Sequence, residues 1–437
     1  MNDGATPDSG FRDPDAALEP DGETRPADVG VADTSLDLGD AATVDAGSDG
    51  GCAPGYAFEG ATCADIDECS ARTHSCHMTA ACQNTLGSYE CACGAGYGGG
   101  LRAGFACAPR IVTGAKHACA LLGSGAVKCW GINDQGQLGD GTSQPYRSTP
   151  VQVVGLSSVV AIAAADSDAT CALLGDGTVR CWGNNAGGQL GDGTRTTRAG
   201  LVQVSGLTDV ISLSVSISSA CAVVRGGAVW CWGAGASTSM SPLLVAGLPP
   251  VASVAAGGLH ACAVTQAGAV WCWGKNSDGQ LGIGNTDART TPAQVSGAAN
   301  ISRVAAGYQQ TCAIRRDGQM LFWGFGGPSI VASPRYSDTI AVSTSIYDSC
   351  AVQRSGAVLC WLGIPGSAAS YDSTLEGSGY GAVSLRGDYV WGCAAAVSGQ
   401  VYCWGTNDSG QLGDGTTTGT TSSRGVRETT LVKDLQL

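Results

Sequence analysis

Residues 119–142 read CALLGSGAVKCWGINDQGQLGDGT, and variants of this stretch recur along most of the chain. Its first feature is a pair of cysteines ten residues apart, Cys119 and Cys129. The stretch is the first of seven internal repeats, whose starts lie 52, 50, 41, 50, 38 and 43 residues apart. Repeats of this period are typical of solenoids, propellers and arrays. The spacing of ten returns in five more pairs, while Cys312 is followed by Phe322 instead: Cys171/Cys181, Cys221/Cys231, Cys262/Cys272, Cys350/Cys360 and Cys393/Cys403.

Each cysteine pair predicts a β-hairpin. The three central residues of the interval are Gly123-Ser124-Gly125 in the first copy, and the third is glycine in all seven copies. A three-residue hairpin loop ends in the left-handed region, which glycine enters without strain. The two cysteines then lie opposite each other, within reach of a disulfide bond. We expect six such cross-strand disulfides, one for each pair. Buried free thiols are the alternative, and zinc is disfavoured because the sequence has no close Cys-x-x-Cys pairs.

Two further strands can be read in each copy. A strand of small residues, such as 159–164, precedes the hairpin, and a β-branched strand, such as 150–154, follows the Gly-rich loop. Four short strands repeated seven times predict an all-β fold, a seven-bladed β-propeller of four-stranded blades over residues 111–437. Residues 430–437 resemble an outer strand, and we expect them to complete the blade that begins at Ile111 and so close the ring.

Composition and charge exclude several classes. The chain has 67 Gly among 437 residues, which disfavours long helices, and it contains no apolar run long enough for a membrane helix. Its charge of −14 divides into −11 for residues 1–50, −2 for 51–110 and −1 for the rest. The neutral propeller lacks the basic surface that nucleic-acid binding needs. We interpret residues 1–50 as a disordered acidic tether, with an acidic interaction tail as the alternative.

The repeat quoted above resembles that of the regulator of chromosome condensation family, whose members are seven-bladed propellers. Residues 182–194, 273–286 and 404–416 match equally well, while units 3, 5 and 6 keep the hairpin but lose the Gly-Gln-Leu-Gly loop. The family includes nuclear exchange factors for small GTPases and a secreted bacterial propeller that inhibits β-lactamases. The resemblance therefore implies a fold rather than one function.

Residues 65–107 resemble a calcium-binding epidermal growth factor-like module, through Asp-Ile-Asp-Glu-Cys (65–69) and Cys-Gln-Asn-Thr-Leu-Gly-Ser-Tyr-Glu-Cys (82–91). The resemblance implies such a module over residues 65–110, with bridges Cys69–Cys82, Cys76–Cys91 and Cys93–Cys107. It also implies oxygen ligands of the kind Ca²⁺ prefers, from the side chains of Asp65, Glu68 and Asn84 and the carbonyls of Ile66, Thr85 and Ser88. An exposed acidic turn is the alternative. Residues 51–64 resemble only the last loop of a module, a truncated hairpin with a Cys52–Cys63 bridge.

The density of predicted disulfides indicates an oxidising compartment, so we expect an extracellular or cell-surface protein and disfavour intracellular GTPase exchange. We then expect Met1 to be a trimmed start. We expect a removed leader or a lipid anchor upstream of the tether, as in an outer-membrane lipoprotein. A monomer is expected.

Catalytic motifs are absent from the sequence: it has no nucleophile elbow, phosphate loop or cluster of metal-binding histidines. His117 and His260 occupy equivalent positions two residues before a cysteine, where structural hydrogen bonding is favoured over catalysis. The repeated Gly-Asp-Gly-Thr predicts turns rather than metal loops. The tryptophans that follow the second cysteines predict packing between blades.

The connections between the first and second strands of the blades should gather on one face around the axis. They differ from copy to copy on a repeating frame, and binding is usually located in such loops. We predict a partner-binding face of Lys116, His117, Asp166, Asp168, Leu259, His260, Tyr308, Gln309, Gln310, Tyr347, Asp348, Asp388, Tyr389 and Trp391, with ordinary solvated turns as the alternative. The expected function is non-catalytic binding or adhesion to an extracellular protein or glycan. The alternatives are inhibition of an extracellular enzyme and, third, an enzyme in the axial channel.

Overall fold

The computed structural model describes residues 56–59, 62–71, 81–85, 88–92 and 97–98. From residue 108 onward it describes the whole chain except 236–238, 326, 347, 363–370, 376–379, 387–390, 397, 421, 424–425, 428 and 436. The predicted tether, residues 1–50, lies outside the described residues. Cys69 is disulfide-bonded. The predicted pairing of the first eight cysteines otherwise falls outside the described side chains: Cys52 with Cys63, Cys69 with Cys82, Cys76 with Cys91 and Cys93 with Cys107. The domain limits stay predictions.

Short antiparallel pairs make up the described N-terminal part. They comprise β1 (Tyr56–Glu59) with β2 (Thr62–Asp65), β3 (Ala81–Thr85) with β4 (Ser88–Ala92), and β5 (Tyr97–Gly98) with β6 (Ala108–Pro109). One helical turn, α1 (Glu68–Ala71), follows β2. A module of this length has too small a core to be stable without crosslinks.

Seven sheets follow, each built around four antiparallel strands. Blade 1 contains β7 (Ile111–Thr113), β8 (His117–Leu121), β9 (Val127–Ile132) and β10 (Tyr146–Gln152). Blade 2 contains β11 (Val159–Ala164), β12 (Ala169–Leu174), β13 (Val179–Gly183) and β14 (Arg198–Gln203). Blade 3 contains β15 (Val210–Val215), β16 (Ser219–Val224), β17 (Val229–Gly233) and β18 (Leu243–Leu244). Blade 4 contains β19 (Val251–Ala256), β20 (His260–Thr265), β21 (Val270–Gly274) and β22 (Arg289–Gln294).

The remaining three blades repeat this order with local additions. Blade 5 contains β23 (Ile301–Ala306), β24 (Gln310–Arg315), β25 (Met320–Gly324) and β26 (Val331–Ala332), and a 3₁₀ helix (Pro334–Tyr336) follows it. Blade 6 contains β27 (Thr339–Thr344), β28 (Asp348–Gln353), β29 (Val358–Leu362) and β30 (Tyr371–Leu375). Blade 7 contains β31 (Tyr380–Arg386), β32 (Trp391–Ala396), β33 (Val401–Trp404) and β36 (Thr430–Leu431). Two further strands, β34 (Ser422–Ser423) and β35 (Val426–Arg427), extend blade 6 at its outer edge. The predicted seven-bladed propeller is confirmed.

The cysteine hairpins have the predicted geometry. In blade 1, Cys119 lies directly opposite Cys129, and Gly125 takes a φ of 77° in the turn between them. Each bridge closes a short loop and contributes about 3 kcal/mol in the chain-entropy model. The second and third strands of six blades are thus covalently joined. All six predicted cross-strand disulfides are present, with Cα atoms 4.0–4.1 Å apart: Cys119–Cys129, Cys171–Cys181, Cys221–Cys231, Cys262–Cys272, Cys350–Cys360 and Cys393–Cys403.

Blade 5 replaces this crosslink with aromatic packing. Cys312 is a buried free thiol that lies opposite Phe322 in the ladder. The Phe322 ring packs edge-on against Tyr336 and Trp361, at centroid distances of 5.5 and 5.4 Å. Burial raises the pKa of Cys312 to about 12, so the thiol stays protonated and behaves as a small apolar group.

Ring closure differs from the prediction. The C-terminal strand β36 pairs with β33 of its own blade, Leu431 opposite Tyr402 and Thr430 opposite Cys403. The expectation that residues 430–437 complete the first blade is therefore wrong. The reason is that β10 follows β9 locally and already occupies the outer edge of blade 1. The ring closes instead through hydrogen bonds between blades 7 and 1, among them Thr113 N to Ser384 Oγ at 3.0 Å.

The core lies between neighbouring blades rather than at the axis. Second strands are buried on both sides, as in β20, where all six residues are buried. One apolar cluster joins Val179 of blade 2 to Val215 and Trp232 of blade 3. The tryptophans after the second cysteines are buried in these interfaces, as the sequence predicts, and Trp130, Trp182 and Trp232 have no exposed surface.

Candidate functional site

The strand order gives the propeller two different faces. Because the strands of a blade alternate in direction, the connections from first to second strand and from third to fourth strand share one face. We call this the loop face; its described first-to-second connections are 114–116, 165–168, 216–218, 257–259, 307–309 and 345–346. The glycine turns of the disulfide hairpins lie on the opposite face, the hairpin face.

The chain enters and leaves the propeller at the hairpin face. Arg110 directly precedes the first inner strand. Its carbonyl oxygen accepts a hydrogen bond from Leu121 N at 2.7 Å, next to the hairpin turn of blade 1. Leu437 N donates to the carbonyl of Gly399, in the hairpin turn of blade 7, at 2.9 Å. The first inner strand therefore runs from this side toward the loop face, which carries neither chain connection.

Both propeller histidines are buried and contact the following blade. His117 Nε2 lies 2.9 Å from Thr170 Oγ1, and His117 Nδ1 lies 3.3 Å from Asp168 Oδ1. His260 Nε2 lies 2.8 Å from Thr311 Oγ1. Burial lowers the pKa of His260 to about 4, so its ring is neutral. These histidines join blades, and their burial removes them from the predicted partner-binding set.

Two more members of that set are buried. Trp391 is 2% exposed, and its Nε1 donates to the carbonyl of Ala115 at 2.6 Å across the junction between blades 7 and 1. Gln310 is 4% exposed at the start of a second strand. Their side chains point into the blade interfaces because second strands are covered on both sides, which corrects their assignment to the surface.

A polar arc lies on the loop face at blades 7, 1 and 2. The half-exposed Lys116 places its Nζ 2.6 Å from Asp408 Oδ2. Hydrogen bonds from Lys116 and Gln411 hold the pKa of Asp408 below its usual value. Asp166 and Asp168 are partly exposed on the neighbouring blade. The predicted residues Lys116, Asp166 and Asp168 thus lie at adjacent blades.

A second group lies at blades 4 and 5. Leu259, Tyr308 and Gln309 are partly exposed. Lys275 N donates to the carbonyl of Leu259 at 2.9 Å, and Lys275 Nζ lies 5.8 Å from the centroid of the Tyr308 ring. Tyr347, Asp388 and Tyr389 lie outside the described residues, as does the side chain of Asp348.

Sequence reasoning missed Lys275, Phe325 and Ile346, which are partly exposed on the same face. Lys275 and Phe325 each follow the Trp-Gly pair that ends the third strand of their blade, and they begin third-to-fourth connections. The signal was available, because these connections must share a face with the first-to-second ones. Ile346 lies next to Tyr347, which belongs to the predicted partner-binding face.

The Gly-Asp-Gly-Thr copies use their carboxylates within their own turns. Asp140 Oδ1 accepts hydrogen bonds from Thr142 N at 3.0 Å and Thr142 Oγ1 at 2.9 Å, and Asp140 Oδ2 lies 2.9 Å from Arg147 Nε. Burial raises the pKa of Asp140, but these hydrogen bonds outweigh it and hold the pKa below its ordinary value. Asp192 repeats the arrangement with Thr194 and Arg198. These loops are turns, as the sequence predicts.

Two predicted calcium ligands meet in the N-terminal part. Asn84 Nδ2 lies 2.7 Å from Asp65 Oδ2, and Thr85 lies opposite Ser88 where β3 turns into β4. A carboxylate, an amide and main-chain carbonyls are hard oxygen donors, which fit Ca²⁺. The side chain of Glu68 lies outside the described ones. Across the part of the chain that the structure describes, no group of three or more His, Cys, Asp or Glu is placed to hold a metal.

Known families match both parts of the chain. The Regulator of chromosome condensation (RCC1) repeat matches residues 124–173, 267–314 and 398–426, and a second description of this repeat matches 110–137, 159–189 and 251–280. The calcium-binding EGF domain matches residues 65–107. The chain is an RCC1-repeat propeller with an EGF-like module. Among the described residues, no helix is long and apolar enough to cross a membrane.

Curated relatives of this RCC1-repeat protein align with parts of it. Human E3 ubiquitin-protein ligase HERC2 is 42% identical over 87 residues, which cover 20% of this chain and 2% of HERC2. The RCC2 homolog of Danio rerio is 39% identical over 89 residues, covering 20% and 18%. Nidogen-2 of Mus musculus is 41% identical over 46 residues, covering 10% and 3%. The chain spans less than a fifth of each relative.

Solved structures share the fold of this propeller. Prp20p of Saccharomyces cerevisiae superposes with a TM-score of 0.57 at 17% identity, over 74% of this chain and 88% of Prp20p. Human WBSCR16 superposes with a TM-score of 0.50 at 16% identity, over 74% and 81%. At these identities the similarity establishes the fold and no activity.

Proposed function

We propose that this RCC1-repeat protein is a non-catalytic binding protein of the cell surface or extracellular space that captures a protein partner on its loop face. The proposal rests on one observation: the disulfide hairpins repeat the same geometry, while the residues of the loop face vary. Six hairpins share one disulfide geometry, with Cα separations of 4.0–4.1 Å, while the loop-face residue before the second strand changes from Lys116 to Leu259 to Gln309. Variable side chains on a rigid scaffold suit recognition.

The direction of the chain supports the choice of face. The N-terminal segment joins the propeller at the hairpin face, so a tether attached there leaves the loop face unobstructed by its own connection. The six disulfides and the match to an EGF domain support a location outside the reducing cytosol.

The proposal includes one calcium ion in the EGF-like module. The side chains of Asp65, Glu68 and Asn84, with the carbonyls of Ile66, Thr85 and Ser88, would hold one Ca²⁺ in the EGF-like module. The contact between Asp65 and Asn84 supports this set. The ion would couple to the folding of a module too small for a sizeable core.

Site-specific shielding tests the choice of face. Ser277 is exposed in the loop after the third strand of blade 4, on the loop face, and Ser124 is exposed in the hairpin turn of blade 1, on the opposite face. We expect S277C coupled to maleimide-polyethylene glycol to lose capture of surface proteins from the native cell, while S124C coupled to the same polymer retains it. Loss with both conjugates, or with S124C alone, would contradict the proposed face.

A further inference from the structure

Four partly exposed apolar side chains line the loop face at blades 4 to 6, and we call them the apolar arc: Leu259, Tyr308, Phe325 and Ile346. The connections that carry them are joined by main-chain hydrogen bonds. Gly258 N donates to the carbonyl of Gly307 at 2.9 Å, and Tyr308 N donates to the carbonyl of Ser345 at 3.4 Å. The connections that carry the arc are therefore linked to one another across three blades.

Two of the three blades that carry the arc lack the Gly-Gln-Leu-Gly loop. Blades 1, 2, 4 and 7 carry a Gly-Gln-Leu-Gly segment after the third strand, and blades 5 and 6 do not. Phe325 begins the short connection of blade 5 with a φ of 52°, held by a hydrogen bond from its N to the carbonyl of Gln309 at 2.7 Å. A bulky residue in the left-handed region is strained, and such strain concentrates at functional sites.

The Tyr308 ring is held in place before any partner arrives. It lies so close to Gly258 that a Cβ there would stand 2.3 Å from Tyr308 Cδ2. Glycine at 258 thus provides the flat main-chain surface on which the ring rests. A preorganised aromatic side chain binds at low entropic cost.

Lys275 gives the arc a charge. Its ammonium group stands over the Tyr308 ring, and among the described residues no carboxylate approaches it within 4.0 Å. The neighbouring Asp278 carboxylate instead accepts hydrogen bonds from Gln309 and Ser277, at 3.2 and 2.8 Å. The cation therefore has an aromatic neighbour and, within the described part of the chain, no counter-ion, on a protein whose net charge is −14.

We propose that the apolar arc and Lys275 bind a protein segment in which an aliphatic or aromatic residue stands beside Asp or Glu. The apolar side chain packs between Leu259, Tyr308 and Phe325, and the carboxylate pairs with Lys275. The inference rests on the proposed function and assigns the chemistry of its partner.

Defined peptides test this chemistry on the full-length protein. The probes are biotinylated Gly-Gly-Phe-Asp-Gly-Gly and its Phe-Lys and Ala-Asp counterparts, loaded densely on a streptavidin sensor so that avidity reports weak binding. We expect the Phe-Asp peptide to give about a two- to fivefold larger response than either counterpart. This order opposes the net charge of the chain, which favours Phe-Lys.

Two variants and two matched controls complete the experiment. K275E is expected to reverse the preference between Phe-Asp and Phe-Lys, and L259S to lower the response to both. K433E changes an exposed lysine outside the loop face, and L244S changes an exposed leucine on the outer edge of blade 3; both should behave as wild type. Equal responses to the three peptides, or reversal by K433E as well, would overturn the proposal.

The same variants separate this inference from the proposed function. If the S277C conjugate blocks partner capture while K275E and L259S capture normally, the loop face binds and the apolar arc is not the contact. If the S277C conjugate captures normally, the proposed face itself fails.

Discussion

The indole Nε1 of Trp182 lies 2.8 Å from the carbonyl oxygen of Gln137, which belongs to the Gly-Gln-Leu-Gly loop of the preceding blade. The same bond recurs wherever the preceding blade has this loop: Trp130 to Gln411, Trp232 to Gln189 and Trp323 to Gln280, each at 2.9 Å. The loop thus serves as an acceptor for the next blade in the ring.

Three tryptophans at the same repeat position, Trp273, Trp361 and Trp404, belong to the blades that follow blades 3, 5 and 6, which have lost the loop. Within the described portion of the chain, the buried Nε1 atoms of Trp273, Trp361 and Trp404 have no hydrogen-bond partner. Among the described residues, three junctions therefore retain the tryptophan without an acceptor for its Nε1. Four junctions have a hydrogen-bonded indole, and these three have an indole with no described partner.

Replacing tryptophan by phenylalanine at one junction of each kind measures this difference. W182F removes a hydrogen bond, whereas W273F removes a donor with no described partner, and both lose the same atoms. We expect W182F to lower the free energy of unfolding by about 1 kcal/mol more than W273F does. Urea unfolding of both variants under non-reducing conditions checks this. Equal losses would show that the bond to Gln137 contributes nothing.

A seventh disulfide should form in blade 5 on one substitution. Phe322 lies opposite Cys312, as Cys181 lies opposite Cys171 in blade 2. F322C is therefore expected to yield a peptide crosslinked between residues 312 and 322, detected by mass spectrometry without reduction. A bridge of this loop length adds about 3 kcal/mol. The lost ring contacts of Phe322 cost a similar amount, about 3–5 kcal/mol for a large aromatic truncation. We expect no net stabilisation, and a free thiol at 322 would contradict the prediction.

The repeat made the frame predictable from the sequence. Seven glycines at one turn position fix the hairpins, and the hairpins place the cysteines opposite each other without reference to the rest of the fold. Ring closure was not predictable in this way. Whether residues 430–437 pair with blade 1 or blade 7 depends on which blade already has a fourth strand at its outer edge. In blade 1 that edge is occupied by β10, which follows β9 directly along the chain.

The surface was harder to predict than the frame because position along the chain does not reveal side-chain direction. Lys116 and His117 are neighbours at a loop-to-strand boundary, yet one is half exposed and the other fully buried. His117 belongs to β8, and the second strand of a blade is covered by both adjacent blades. Phe325 could be assigned to the loop face only because third-to-fourth connections share that face with first-to-second connections.

His260 predicts a loss of stability in acid. Its pKa is about 4 in the folded chain because burial disfavours the charged ring, against about 6.5 in an unfolded chain. The unfolded state therefore binds the proton first, so stability is complete above pH 6.5 and falls as the pH drops to 4. By pH 4.5 the loss is about 2–3 kcal/mol. Urea unfolding at pH 7 and 4.5 should show this loss in wild type and a loss smaller by that amount in H260Q. An identical pH dependence in both proteins would contradict the assignment.

Calcium binding should depend on Asp65 and far less on Asp67, which lies two residues away. Asp65 contacts Asn84, whereas the Asp67 carboxylate accepts hydrogen bonds from Ser70 N and Oγ at 2.9 and 2.6 Å. These bonds from Ser70 lower the pKa of Asp67 and occupy its oxygens within the turn. We expect D65N to weaken Ca²⁺ binding by about tenfold or more, because it removes a charged oxygen ligand, and D67N to weaken it much less. Isothermal titration calorimetry of the two full-length variants with calcium chloride measures both values. Equal weakening would mean that the acidic turn attracts the cation by charge alone and that Asn84 and the β3–β4 turn do not complete a site.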